Sequence, residues 1–180
     1  DVSNLHGDLT ISFWAKPTGD RLTRQNPIGK AYGGEFAITF EDEPSPNYIN
    51  YYWGTTGLNS GDGGSTYENR GWDALLLDEW AHYCFVRNNT AETLDLYVNG
   101  ELQSSGGDGW LTPVDSSLPL YIGNGYTNEL EGGLDEVMLF DRPLSQTEVN
   151  HLYDGMVYKN GLIHYWSMDD LSANPLPPPQ

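Results

Sequence analysis

Apolar and polar residues alternate with a period of two through most of this chain, and that period predicts strands. Residues 9–16 (LTISFWAK) alternate up to Phe13 and Trp14 and are closed by Pro17, Thr18, Gly19 and Asp20. Residues 35–41 alternate cleanly, with Phe36, Ile38 and Phe40 on one side. Residues 47–53 put Tyr48, Asn50 and Tyr52 on one face and Ile49, Tyr51 and Trp53 on the other. Further strands are expected at 27–30, 80–87, 93–98, 101–104, 118–122 and 162–168. Asn99-Gly100 is the residue pair that a two-residue hairpin turn requires. Residues 54–73 show no such period and predict the longest irregular segment, the kind of loop that commonly carries function.

One run joins several signals. Residues 134–140 predict a strand with Leu134, Glu136, Met138 and Phe140 on one face and Asp135, Val137 and Leu139 on the other. Asp141-Arg142-Pro143 breaks it, because proline cannot donate to a ladder. Ser145 and Glu148 then form an S-x-x-E capping box, Leu144 and Val149 are spaced as a hydrophobic staple, and Gly155 suits a helix C-terminus. The sum is about ten strands and one short helix without a strand–helix rhythm, which predicts an all-β antiparallel sandwich rather than a parallel sheet.

Composition supports that class and narrows the partners. In 180 residues there are 21 glycines, 11 prolines and 13% aromatics, a balance for many short strands and turns. Lys and Arg number 8 against 26 Asp and Glu, a formal net charge of -18. Such a chain repels phosphate backbones and anionic lipid, so neither nucleic acid nor membrane insertion is expected. No apolar run reaches the roughly 18 residues of a membrane span. The single cysteine, Cys84, reads as a buried small hydrophobe and excludes a disulfide framework. The tail, 172–180 (SANPLPPPQ), predicts an extended linker after a domain spanning 1–171.

LTISFWAKP, WAHYCFVRN, LDLYVNGEL, PLYIGN and LEGGLDEVMLFDRPLSQTEVNHLY follow one another here in an order that resembles the laminin-G-like domains of the concanavalin A-like lectin/glucanase superfamily. The resemblance covers roughly residues 9–155. It implies a two-sheet antiparallel jelly-roll β-sandwich with one short helix near the C-terminus, often calcium-binding and often attached to extracellular enzymes, adhesins or viral fibres. One departure stands out. A strand resembling GLVAYWPFDE usually opens such domains, whereas here a similar segment, GLIHYWSMDD at 161–170, closes the chain. That segment is expected to complete the sheet edge; the alternative is the start of a second, truncated copy.

Candidate chemistry follows. A pyranose stacks its C–H face on an aromatic ring and needs fixed polar groups for its hydroxyls. Loop and rim positions offer Trp53, Trp72, Trp110 and Tyr126, with Tyr52 and Tyr67, beside Asn59, Asp62, Asp73 and Asn124, with Asn69, Arg70 and Asn128. Trp72 and Trp110 are the leading stacking candidates, while Trp14, Trp80 and Trp166 lie within strands and read as core. A structural calcium is expected from Asp135 with Asp169 or Asp170, because calcium takes six to eight oxygens and the resembling domains often hold an ion around these two motifs. Catalysis is not expected. Glycanases of the superfamily carry E-x-D-x-x-E on one strand, whereas Glu129 and Glu131 run into Gly132-Gly133. The four histidines show no ligand spacing, and His82 reads as a satisfied strand residue. The expected function is a non-catalytic, lectin-like module of a larger extracellular or virion protein, partnered by a glycan or polysaccharide and by neighbouring domains. The alternatives are a structural or protein-interaction jelly roll without a sugar site, and a degenerate glycanase.

Overall fold

Two antiparallel sheets face each other across one core in a computed structural model that describes residues 2, 5–18, 24–42, 47–58, 67–104 and 109–169. The strands are β1 (Leu9–Pro17), β2 (Ile28–Ala31), β3 (Phe36–Glu41), β4 (Tyr48–Gly54), β5 (Tyr67–Asp73), β6 (Ala81–Asn88), β7 (Thr93–Val98), β8 (Glu101–Ser104), β9 (Tyr121–Ile122), β10 (Gly132–Phe140) and β11 (Leu162–Trp166). One sheet has the order β11-β10-β1-β6-β7-β8 and the other β5-β4-β3-β2-β9. The alternation read from the sequence decides what fills the space between them. Leu9, Ile11, Phe13 and Ala15 point inward from β1; Phe36, Ile38 and Phe40 from β3; Ile49, Tyr51 and Trp53 from β4.

The six-stranded sheet is buried on its outer face too. Helix α1 (Gln146–Tyr153) lays Val149 and Leu152 on Cys84, Val86, Tyr97, Met138 and Phe140. Eight residues are too few to hold a helix in water, so docking and caps must do it. Ser145 and Glu148 form the expected capping box, and Gly155 takes the expected positive φ of 84°. Arg142 grips the Glu148 carboxylate at 2.6 and 3.1 Å and, with the Ser145 amide, holds that carboxyl down at a pKa of about 2. Leu144, expected to staple Val149, is buried in the same cluster.

Three sequence expectations change. Residues 67–73 form β5 inside the segment read as irregular. Arg70 and Trp72 turn inward there, and Gly71 gives clearance to the Tyr48 ring, which would lie 2.2 Å from an added Cβ. The strand expected at 118–122 is only Tyr121–Ile122. In β10 the alternation breaks: Ser12 pairs with Met138 but Trp14 with Asp135, so Glu136 and Val137 together face Phe13. Glu136 takes a left-handed φ of 49° at this bulge, and Leu134 therefore packs on the same core as Val137 and Leu139. The C-terminal β11 lies at the edge of its sheet on β10, with Val137 opposite Trp166.

Candidate functional site

The outer face of the five-stranded sheet bears a different surface. No helix among the described residues packs on it. Because the apolar alternates of β3 and β4 point inward, the pleat sends Thr39, Glu41, Asn50 and Tyr52 outward. Pairing of β4 with β5 sets Asn69 beside Tyr52 and Asp73 beside Tyr48. A row of hydrogen bonds follows. Asn69 Nδ2 donates to Asn50 Oδ1 at 3.1 Å, and Asn50 Nδ2 donates to Glu41 Oε1 at 2.5 Å. Thr39 Oγ1 donates to the same oxygen at 2.6 Å, while Arg24 Nε donates to Glu41 Oε2 at 2.7 Å. Glu41 and Asn50 are buried as a floor; Asn69 and Asp73 are exposed, and Arg24 is half exposed.

Four tyrosines stand over this row. The Tyr32 ring meets Tyr67 edge-on at 5.4 Å and Tyr52 edge-on at 6.1 Å, and lies 4.7 Å from Tyr126. Tyr67 and Tyr52 are 6.1 Å apart. The Arg24 guanidinium sits 5.5 Å from the Tyr52 ring centre and donates to Tyr126. Burial pushes the Tyr126 phenol up to about 12, against the pull of Arg24. Burial and then the Glu41 charge raise Tyr52 in the same way. Both hydroxyls therefore stay protonated and can donate across the physiological range. Ring faces beside an arginine, amides and phenols can take the apolar face of a sugar and its hydroxyls together.

The expected ligand residues divide between this platform and other places. Tyr126 is in the tyrosine cluster and Asp73 on the same sheet face. Trp53 and Trp72, expected at a rim, lie in the core at 1% and 6% exposure. The pleat turns both inward, so neither ring offers a face to a ligand. Trp110 is half-buried 5.2 Å from Trp53, with the Arg70 guanidinium 5.5 Å from each indole; this stack closes one end of the core. Asn124 is half-buried and accepts the Gly125 amide at 2.6 Å. Asn59 and Asp62 lie outside the described residues. Nothing in the sequence marks Arg24 or Tyr32 for this face, and Glu41 reads there as part of an acidic loop, although the alternation of 47–53 already puts Asn50 with Tyr52 on one face. Trp14, read as core, sits instead on the outer face of the six-stranded sheet, stacked on Tyr153 at 5.7 Å.

The carboxylates expected to hold calcium do come near one another. Asp135 and Glu136 are raised first by burial, and Asp169 adds to both. Asp135 Oδ1, however, accepts the Glu136 amide at 2.9 Å, and Asp169 is exposed. Among the described residues no three carboxylate, imidazole or thiol groups converge where one ion could be held, and Asp170 lies outside them. The described residues alone do not make a calcium cage.

Comparison with known proteins accords with this architecture. No helix among the described residues is long and apolar enough to cross a membrane. Among curated proteins, none matches the chain in sequence. In fold it is similar to a candidate carbohydrate binding protein from Bacteroides ovatus, with a TM-score of 0.72 at 18% identity over 94% of this chain. The chain spans 48% of that protein's length. It is similar to domain 4 of a GH43 extracellular arabinanase from Geobacillus stearothermophilus, solved with arabinotriose (TM-score 0.60, 18% identity, 84% of this chain and 67% of that one). It is also similar to the ligand binding domain of botulinum neurotoxin serotype D solved with N-acetylneuraminic acid (TM-score 0.58, 16% identity, 86% of this chain and 38% of that one). At these identities the likeness is one of fold. The family model Laminin_G_3, described as the concanavalin A-like lectin/glucanases superfamily, matches residues 1–150, and the chain belongs to that family.

Proposed function

We propose that the chain is a non-catalytic carbohydrate-binding module of a longer extracellular protein, and that the tyrosine platform is its glycan site. The observation that carries this is the joining of ring faces to a fixed polar row on one sheet face: Tyr32, Tyr67 and Tyr126 beside Arg24, Asn69, Asn50 and Glu41. Glu41 already accepts bonds from Thr39, Asn50 and Arg24. Its carboxylate therefore works as a hub that orients donors, where a glycosidase would need carboxylates free to meet the scissile bond. The sugar complexes of the arabinanase domain and of the toxin domain lend the reading a precedent in fold. The extracellular setting rests on the same kinship.

A glycan array followed by titration of the best ligand tests the proposal. Tyr67→Ala and Asn69→Ala, each confirmed folded by circular dichroism, are expected to weaken binding about tenfold or more, about 1.4 kcal/mol each. An array without signal, or variants that bind as the parent does, would transfer support to a structural or protein-interaction role.

A further inference from the structure

One more aromatic ring lies on the sheet face that carries the tyrosine platform, outside the cluster of four. Arg70 and Trp72 turn inward from β5, so Tyr67, Asn69, Gly71 and Asp73 share the outer face. Gly71 has no side chain, and the Tyr48 ring takes its place. An added Cβ would stand 2.2 Å from Tyr48 Cε1 and from its hydroxyl oxygen. Tyr48 belongs to β4, where it pairs with Asp73, and its side chain leans diagonally across the ladder onto Gly71, the partner of Asn50. The ring is thus laid over the sheet and left half-exposed. Burial, then the charges of Asp73 and Glu41, raise its phenol, so the hydroxyl stays protonated and can donate.

Resting on the reading of the tyrosine platform as a glycan site, we infer that Tyr48 is a second sugar-stacking residue, and that the glycan is a neutral, linear chain of at least three sugar units laid along β4 and β5.

Spacing sets the length. Tyr67 and Gly71 are four residues apart on β5, about 13 Å. A ring stacks with its centre about 4.5–7 Å from that of its partner. One sugar therefore cannot serve both Tyr67 and Tyr48. A sugar on each leaves room for one between them, and Asn69 sits there, its amide fixed on Asn50 at 3.1 Å. Ring, amide, ring and carboxylate thus succeed one another along the strand as Tyr67, Asn69, Tyr48 and Asp73. Charge narrows the class. Asp73 is exposed at the Tyr48 end, and Glu41 lies in the floor. Arg24 brings the platform a positive charge, but Glu41 already holds it at 2.7 Å. A chain of uronic acids would meet carboxylates in a protein whose net charge is -18. Neutral sugar hydroxyls both donate and accept, and suit amide, phenol and carboxylate alike.

Calorimetric titration of the whole chain tests this with arabinotriose, xylotriose and cellotriose, each against its own monosaccharide. At least one trisaccharide is expected to bind about tenfold or more tighter than its monosaccharide. Tyr48→Ala should weaken that trisaccharide about five- to tenfold and leave monosaccharide affinity within about twofold. Tyr48→Phe, which keeps the ring, should recover most of the loss. Gly71→Ala, which pushes the ring off its seat without altering it, should weaken the trisaccharide as Tyr48→Ala does. Circular dichroism checks that each variant is folded. Equal affinity for trisaccharide and monosaccharide, or a folded Tyr48→Ala that binds the trisaccharide as the parent does, overturns the inference; a loss in Tyr67→Ala would then still uphold the platform as a glycan site. Binding of none of the three trisaccharides also overturns it, and the glycan array judges the platform separately. Length dependence is read on the parent protein, so the inference can fail whether or not a variant folds.

Discussion

Arg87→Met should remove about 3–5 kcal/mol of folding stability, the largest loss expected from any single side chain described. Arg87 is 1% exposed in β6, deep between the sheets. Its guanidinium donates to the carbonyls of Leu5, Gly7 and Glu35 and to the Tyr51 hydroxyl. Methionine fills nearly the same volume, so little is lost in packing. What is lost is every donor to those four acceptors, which stay buried with nothing to bond. Replacing a whole buried ion pair by apolar residues can be neutral, but here only one side of the network goes. The Glu35 carboxylate keeps its own buried partner, Lys30, in the variant. A domain of this size has about 5–15 kcal/mol in all. Urea unfolding should show a lower midpoint with an unchanged slope, and the melting temperature should fall by roughly 6–20 °C. Arg87→Lys, which keeps the charge but not the planar fork, should recover less than half. A loss below about 1 kcal/mol in Arg87→Met would show that the carbonyls find water instead, and would refute the account.

The second large effect is acid lability. His82 is fully buried, and burial lowers its pKa from 6.5 to about 3. The unfolded chain thus takes up a proton below 6.5 that the folded chain refuses. Stability from this residue is whole above pH 6.5 and drains as pH falls toward 3, at about 1.4 kcal/mol per unit. At pH 4.5 the loss is about 3 kcal/mol. Asp95, Asp135 and Glu136 act in the opposite sense, since their folded pKa values are raised, chiefly by burial, and protonation relieves them. The diagnostic is therefore a difference in slope. Chemical denaturation from pH 7 to 4.5 should show a steep decline in the parent and a flattened one in His82→Gln, whatever that variant's stability at pH 7. Parallel slopes would rule out His82 as the source.

Much of the fold was legible because two-fold alternation is written residue by residue. Phe36, Ile38 and Phe40, or Ile49, Tyr51 and Trp53, announce their face directly, and the capping box at Ser145 and Glu148 needs only local spacing. Three features escaped for reasons that are not local. The strand at 67–73 carries mostly polar residues and a glycine, and its conformation depends on pairing with β4. The bulge at Glu136 looks like unbroken alternation until β1 supplies the register. His82 looked satisfied in sequence, but which ring nitrogen finds a partner depends on Ser12, seventy residues away. The candidate site was half visible for the same reason. Tyr52, Tyr67, Tyr126 and Asn69 were recognisable as aromatic and polar surface candidates, whereas Arg24, Tyr32 and Glu41 join them only through tertiary contact. The tryptophans drew attention by residue type, and type alone does not say which way a pleat turns.

The place of β11 bears on how the chain can be cut. The family match ends at residue 150, inside α1, and leaves out the strand that hydrogen-bonds to β10. A fragment trimmed to that boundary would bare the edge of β10 over Val137–Phe140, four apolar residues, to any other copy in solution. Such an edge recruits strands from neighbouring molecules, so the trimmed fragment should run as oligomers or precipitate, while the chain kept through β11 holds those four residues paired. A segment that sequence families treat as trailing chain thus serves as the guard against self-association.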